Sequence, residues 1–176
     1  MKSKAAIQGH PLHPALVTVP IGAWALALVG DLVYANTMNS FWYQFSYYAM
    51  LIGLVGALSA AVLGFIDFFG VKMSEAGYRS AKLHMAMNLI ITALYAVNLW
   101  LRADFKAIAG SAWSLVFALE VVSFLALGVS GWIGGELTFK HKVGVRERFD
   151  AEATEIGMRE PAMPERAATR TRGFQG

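Results

Sequence analysis

The sequence contains no cysteine among its 176 residues. This absence excludes disulfides, thiolate-ligated zinc, iron–sulfur clusters and covalently attached haem, because each of these requires cysteine sulfur. Any metal or cofactor would therefore be held by histidine, carboxylate, methionine or backbone groups.

Charged residues are also scarce. They make up 15% of the sequence, whereas hydrophobic residues make up 56%. A soluble domain usually has about 25% charged residues, so the composition argues against one. The net charge of +3 does not indicate nucleic-acid binding, because the basic residues flank apolar segments instead of forming a continuous basic face. We therefore predict a protein that lies in a lipid bilayer and binds no nucleic acid.

The sequence contains long apolar stretches with few charged residues. A helix that crosses the bilayer core needs about 20 predominantly apolar residues. Four stretches qualify, at about 14–35, 44–71, 83–101 and 112–135. Short connections make consecutive helices antiparallel neighbours. The sequence predicts an all-α integral membrane protein, an antiparallel four-helix transmembrane bundle in residues 1–142. A flexible cytoplasmic tail is expected in residues 143–176.

Lysine and arginine are distributed unevenly between the two ends of these helices. One end of the bundle has only Arg102 and Lys106. The end that carries both termini is richer in these residues and has Lys2, Lys4, Lys72, Arg79, Lys82, Lys140, Lys142, Arg146 and Arg148. Because positive residues are retained on the cytoplasmic side, both termini are predicted to be cytoplasmic.

The segment Gly9-His10-Pro11-Leu12-His13-Pro14 precedes the first predicted span. A residue before proline is restricted to extended geometry, so each histidine is held on a stiff segment. Further along the first span, Pro20 is expected to bend the helix.

The other two histidines are predicted at the same membrane face. His84 opens the third span and His141 follows the fourth. Two carboxylates are expected at a similar depth, Asp67 near the end of the second span and Glu136 at the end of the fourth. A carboxylate at this depth should face the bundle and have a partner.

Our first hypothesis is non-covalent haem b binding for electron transfer, as in cytochromes built on helix bundles. His13 and His84 would be the first axial pair, and His10 and His141 a possible second. Basic side chains would meet the haem propionates, namely Arg79, Lys82, Lys140 and Lys142.

Two alternatives stay open. One is a transition-metal site, which imidazole and carboxylate ligands would suit; its ligands would be His10, His13, His84 and His141 with Asp67 or Glu136. The other is a non-catalytic accessory subunit of a larger membrane complex, in which the histidines brace helix ends. No motif of a stand-alone enzyme is recognisable, and redox proteins are the expected partners if electrons are transferred.

Polar residues within the other half of the spans have structural interpretations. Glu120 is matched in depth with Tyr95 and Asn98, which predicts a neutral, hydrogen-bonded glutamate. Asp31 and Arg102 are expected to form an ion pair. Recurring small residues favour contacts within the bundle over a homodimer interface, although a homodimer is possible.

Several of these motifs together resemble the bacterial membrane family catalogued as domain of unknown function 2231. The resemblance covers residues 7–146. It is carried by Gly9 to Pro14, Val17, Pro20, Ile21, Trp24, Asp67, His84, Asn88, Gly134 to Glu136, His141, Gly144 and Val145. The resemblance implies a multi-pass protein of the bacterial inner membrane. Some members of the family look fused to, or encoded near, Rieske-type or other redox modules. The resemblance therefore also implies electron transfer.

Overall fold

The computed structural model describes residues 3–103 and 111–143. Four of its helical stretches are long and apolar enough to cross a membrane. The elements are β1 (Ala6–Ile7), β2 (His10–Pro11), α1 (Leu12–Leu16), α2 (Thr18–Thr37), α3 (Ser40–Gly70), α4 (Glu75–Leu101) and α5 (Ser111–Phe139). The prediction of an all-helical, four-span membrane bundle is confirmed. Lys106 and the predicted tail beyond Val143 lie outside the described residues.

The first span consists of two helical pieces, α1 and α2, which meet at Val17. The break has a local cause, because Pro20 has no N–H to donate to the Leu16 carbonyl. The helix begins at Leu12, two residues before the predicted start. His13 therefore lies within the first helical turn and not ahead of it.

A short β-hairpin precedes α1. Ala6 pairs with Pro11, and Ile7 pairs with His10. Its two turn residues both have positive φ, 50° at Gln8 and 81° at Gly9. A two-residue hairpin turn favours this geometry, and glycine adopts it without a steric penalty. The hairpin holds His10 in the extended conformation that Pro11 predicts.

The helices pack as two hairpins, α2 against α3 and α4 against α5. At the centre of the bundle Trp24 stacks on Tyr95, with ring centroids 4.0 Å apart and planes 8° from parallel. The Trp24 indole also packs against Gly53 of α3 and donates to the Met50 carbonyl at 3.3 Å. This aromatic pair divides the interior into two ends. We call the end where α1 begins the histidine end and the other the arginine end.

Equivalent residues of the two hairpins are separated by a nearly fixed number of sequence positions. Asp31 and Arg102, which form an ion pair, are 71 positions apart. The same spacing relates His13 to His84 and Trp24 to Tyr95. Between the second helices of the two hairpins, α3 and α5, the spacing is one position shorter. It relates Ala60 to Ser130, Gly64 to Gly134 and Tyr43 to Trp113.

Burial follows the same repeat. Along α2 and α4, most positions related by this spacing share the same burial class, and the matching buried positions include Pro20 with Ile91. Residues that contact their own equivalents, such as Trp24 with Tyr95, must lie on the axis that relates the two halves. The bundle therefore has an approximate two-fold axis parallel to its helices, and the next sections use it to compare the two halves.

Candidate functional site

His13 projects from α1 against α3. Its Nδ1 lies 2.8 Å from the carbonyl oxygen of Ala60. A carbonyl oxygen can only accept, so Nδ1 carries the proton. The ring also packs on Gly64, where an added Cβ would lie 3.1 Å from the imidazole Cε1. Because residue 64 is a glycine, the imidazole can lie close to the backbone of α3.

His84 repeats this arrangement in the second hairpin. Its Nδ1 lies 2.9 Å from the carbonyl oxygen of Ser130 on α5. An added Cβ at Gly134 would lie 2.9 Å from the His84 Cε1. Asn88, one turn further along α4, places its amide nitrogen 3.2 Å from Nε2. Because the amide donates, Nε2 of His84 accepts.

The two imidazoles are thus held in equivalent ways by equivalent residues. In the neutral form each has Nδ1 protonated and the lone pair on Nε2. They lie close enough to interact electrostatically. Metal-ligating histidines usually donate the other ring N–H to a carbonyl or carboxylate, which fixes both tautomer and orientation. His13 and His84 are therefore arranged as nitrogen ligands are in proteins that bind metals through Nε2.

The other two histidines are placed differently. His10 is exposed on strand β2. His141 lies just beyond α5, and its Cβ is near Gly77 in the first turn of α4. Neither ring makes a hydrogen bond or ion pair within residues 3–103 and 111–143. A cluster of all four histidines is not shown.

Asp67 binds the N-terminal segment. Its carboxylate accepts from the Ser3 hydroxyl at 2.8 Å, from the Lys4 backbone N–H at 2.7 Å and from the Ala5 N–H at 3.0 Å. A carboxylate near a helix C-terminus is unfavourable to the helix dipole. These bonds compensate for that position and tie the chain before β1 to the end of α3.

We expect Asp67→Ala to release the N-terminal segment without unfolding the bundle. Hydrogen bonds to a charged group contribute about 1.5–3 kcal/mol each, and three donors lose their acceptor. Limited trypsin digestion followed by mass spectrometry should show faster cleavage after Lys4, about tenfold for each 1.4 kcal/mol lost. Glu75→Gln, which changes an exposed carboxylate, is the control. Equal cleavage rates in the two variants would contradict the anchoring role.

The remaining predicted ligands and cations of the histidine end are largely solvated. Glu136 is near Lys140, with a nitrogen–oxygen distance of 3.8 Å. Arg79 pairs with Glu75 at 3.9 Å, and its side chain is 72% exposed. The Lys82 ammonium lies 5.9 Å from the centroid of the Tyr78 ring. The exposed cations Arg79 and Lys82 are therefore accessible to an anionic group at this end.

The arginine end contains a fully buried charged network. The Arg102 guanidinium donates from Nη1 to Asp31 at 2.9 Å, makes a second bond to that carboxylate from Nη2, and donates from Nε to Asn98 at 2.7 Å. Glu120 lies 3.5 Å from Nη2. The rings of Tyr43 and Trp113, which are equivalent by the repeat, flank the guanidinium with centroids 5.4 and 5.6 Å away.

The structure confirms the predicted Asp31–Arg102 pair and places it in the interior, where both side chains have 0% exposure. The expected partners of Glu120 belong to the same network. Asn98 uses its amide to donate to the Val116 carbonyl at 2.9 Å and its oxygen to accept from Arg102. The Tyr95 hydroxyl makes no hydrogen bond within the described residues. Arg102 and Asp31 are thus the charged neighbours of Glu120.

In residues 3–103 and 111–143, no group of three or more histidine, aspartate or glutamate side chains converges to hold a metal ion. The structure places His13 and His84 at equivalent positions of the two hairpins, each bonded to a backbone carbonyl of a neighbouring helix. Sequence reasoning missed the supporting groups Ser130, Gly64 and Gly134. The repeat between the two hairpins was the available signal, because it relates the two histidines to each other and, with a spacing one position shorter, the two glycines that receive them.

Comparison with known families agrees with this architecture. The family model DUF2231, described as a predicted membrane protein, matches residues 9–147. The chain belongs to this family. The DUF2231 match includes both histidines, both glycines beside them and the buried arginine network. No curated protein and no solved structure matches the chain.

Proposed function

We propose that this DUF2231 protein binds haem b non-covalently through His13 and His84 and transfers electrons in the bacterial cytoplasmic membrane, with both termini in the cytoplasm. The observation that carries the proposal is the matched orientation of the two imidazoles. Each donates Nδ1–H to a backbone carbonyl of the neighbouring helix, at Ala60 and at Ser130. Each can therefore offer Nε2 as an axial ligand.

The number of ligands favours haem over a bare metal ion. A zinc or similar ion needs three or four protein ligands, and no such group exists in the described part of the chain. Haem needs only axial ligands from the protein, because the porphyrin supplies the other four nitrogens. His13 and His84 would hold the iron of such a group, as histidines on the helices of a bundle do.

Positive charge near the pair supports the same group. The glycines beside the imidazoles let the rings pack against α3 and α5, and Arg79 and Lys82 supply exposed positive charge at this end. These cations would bind the propionates. Asn88 has other acceptors, the His84 carbonyl and the Ser130 hydroxyl, both at 2.8 Å. It can therefore release Nε2 of His84 without losing its hydrogen bonds.

Bound haem would supply reversible one-electron chemistry. The chain would hold both imidazoles in a fixed orientation through their bonds to the Ala60 and Ser130 carbonyls. The stacked pair of Trp24 and Tyr95 lies between the histidines and the buried arginine. It separates the site from the charged network of the arginine end.

An absorption spectrum of the purified full-length protein tests this function. The protein should be expressed with iron and haem precursor supplied. We expect a Soret band and an alpha band that sharpens on reduction. His13→Ala and His84→Ala should each lose most of the bound haem, because each removes one axial ligand.

His10→Ala and His141→Ala are the matched controls and should retain the spectrum. A colourless wild-type protein, or haem bands that persist in both His13→Ala and His84→Ala, would refute the proposal. Metal analysis of the same samples separates the alternative, because a metal-ion site would give a stoichiometric metal without haem bands and lose it in His84→Ala.

A further inference from the structure

Among residues 3–103 and 111–143, the buried network at the arginine end has one carboxylate more than it has cations. Asp31, Glu120 and Arg102 all have 0% exposure. If both carboxylates were ionised, these three side chains would carry one net negative charge inside the hydrocarbon region. An unbalanced charge in such a site costs several kcal/mol, so ionisable groups there are paired or neutralised.

Arg102 is already committed to one of the two carboxylates. It forms a bidentate contact with Asp31, which is the strongest geometry for an arginine–carboxylate pair. Its Nε–H is used by Asn98 at 2.7 Å. Glu120 is left with a distance of 3.5 Å to Nη2 and with no hydrogen bond to either oxygen in the described residues.

We propose that Glu120 holds a proton, so that the network is a one-proton binding site on the axis of the bundle. The proton makes the sum of charges zero and leaves the Asp31–Arg102 pair intact. It also gives the glutamate a donor, which an ionised carboxylate lacks.

The titratable or charged groups near Glu120 in the described residues are Asp31 on α2, and Tyr95 and Arg102 on α4. Tyr43 on α3 faces Arg102, with its ring centroid 5.4 Å from the guanidinium. The hydroxyls of Tyr43 and Tyr95 are also buried without a hydrogen-bond partner in the described residues. A tyrosine hydroxyl can accept as well as donate, so both hydroxyls keep unused hydrogen-bonding capacity in the described interior of this end.

The repeat shows that Glu120 has no acidic equivalent in the first hairpin. Glu120 is the equivalent of Met50 on α3, so the extra carboxylate occurs in one half only. Glu120→Met therefore introduces a residue that the equivalent position already accommodates. Glu120→Gln keeps the shape and hydrogen-bonding capacity while it removes the titrating group.

Infrared spectroscopy of the full-length protein in lipid nanodiscs tests the proposal, since a protonated carboxylic acid has a C=O stretch separate from the carboxylate bands. At neutral pH the wild type should show this band, and labelling with [¹³C]glutamate should shift it. Glu120→Gln should abolish the band. Asp31→Asn should abolish it too, because Glu120 would then become the counter-ion of Arg102. Glu136→Gln, at the solvated histidine end, is the control and should leave it unchanged.

Three results would overturn the proposal. The wild type could lack the band, the band could persist in Glu120→Gln, or it could disappear at constant pH when sodium replaces a bulky organic cation. The last result would mean that an alkali cation balances the charge. Glu120→Met, with Met50 as its equivalent, provides a second variant for the same measurement if Glu120→Gln does not fold.

Discussion

Arg102→Ala should abolish or severely reduce the amount of folded protein. The substitution leaves Asp31 and Glu120 buried without their cation, and breaking a buried ion pair by removing one partner costs about 3–5 kcal/mol. It also takes the cation from between the rings of Tyr43 and Trp113. Thermal unfolding in detergent, followed by circular dichroism, measures the loss. We expect a large decrease in melting temperature or no recoverable protein.

Two comparisons distinguish burial of charge from a general need for arginine. Arg79→Ala removes an exposed arginine whose ion pair with Glu75 spans 3.9 Å, and it should change stability by less than about 1 kcal/mol. The triple variant Asp31→Leu, Arg102→Met, Glu120→Met removes all three charges together. It should be more stable than Arg102→Ala, because no unpaired charge remains. A triple variant less stable than Arg102→Ala would contradict this account.

Gly53→Ala should destabilise the centre of the bundle. An added Cβ would lie 2.3 Å from Nε1 and 2.4 Å from Cδ1 of Trp24, so the indole would have to move away from Tyr95. Overpacking of this kind costs about 1–3 kcal/mol. We expect lower thermal stability together with a changed near-ultraviolet circular dichroism signal from the displaced tryptophan.

Gly128→Ala is the matched control, because an added Cβ at this position meets nothing within 4 Å. Alanine is more favourable than glycine inside a helix by about 1 kcal/mol. The control should therefore keep or raise stability, and the two substitutions should have opposite signs. The same sign and size for both would mean that Trp24 is not seated on Gly53.

The fold could be predicted because its cause is visible residue by residue in the sequence. Long apolar stretches with few charges can satisfy their backbone only as helices in a bilayer, and Pro11 forces an extended His10. The starts of helices were harder to predict. The third span, α4, begins at Glu75 and is capped by the Ser74 hydroxyl, which lies 3.1 Å from the Gly77 backbone nitrogen. Hydropathy alone predicted that this span begins at about residue 83.

The candidate site could be predicted only in part. The sequence indicated that the histidines share one end, but depth alone does not determine which face of a helix a side chain occupies. His13 and His84 face the neighbouring helices, while His10 is on an exposed strand. The position of Arg102 beside Glu120 was harder still to predict, because Arg102 follows the last residue of α4 and its side chain is nonetheless fully buried. Such a position depends on the packing of several helices and is not encoded in local spacing.

The two-fold relation has a consequence for how the charged network could arise. In a dimer of identical hairpins, side chains on the symmetry axis meet copies of themselves, so an acid would face an acid and a base would face a base. Opposite charges at these positions, as at Asp31 and Arg102, require that the two halves vary independently. Covalent fusion of the hairpins provides that freedom. The salt bridge is thus a feature that a dimer of identical hairpins could not carry at this place.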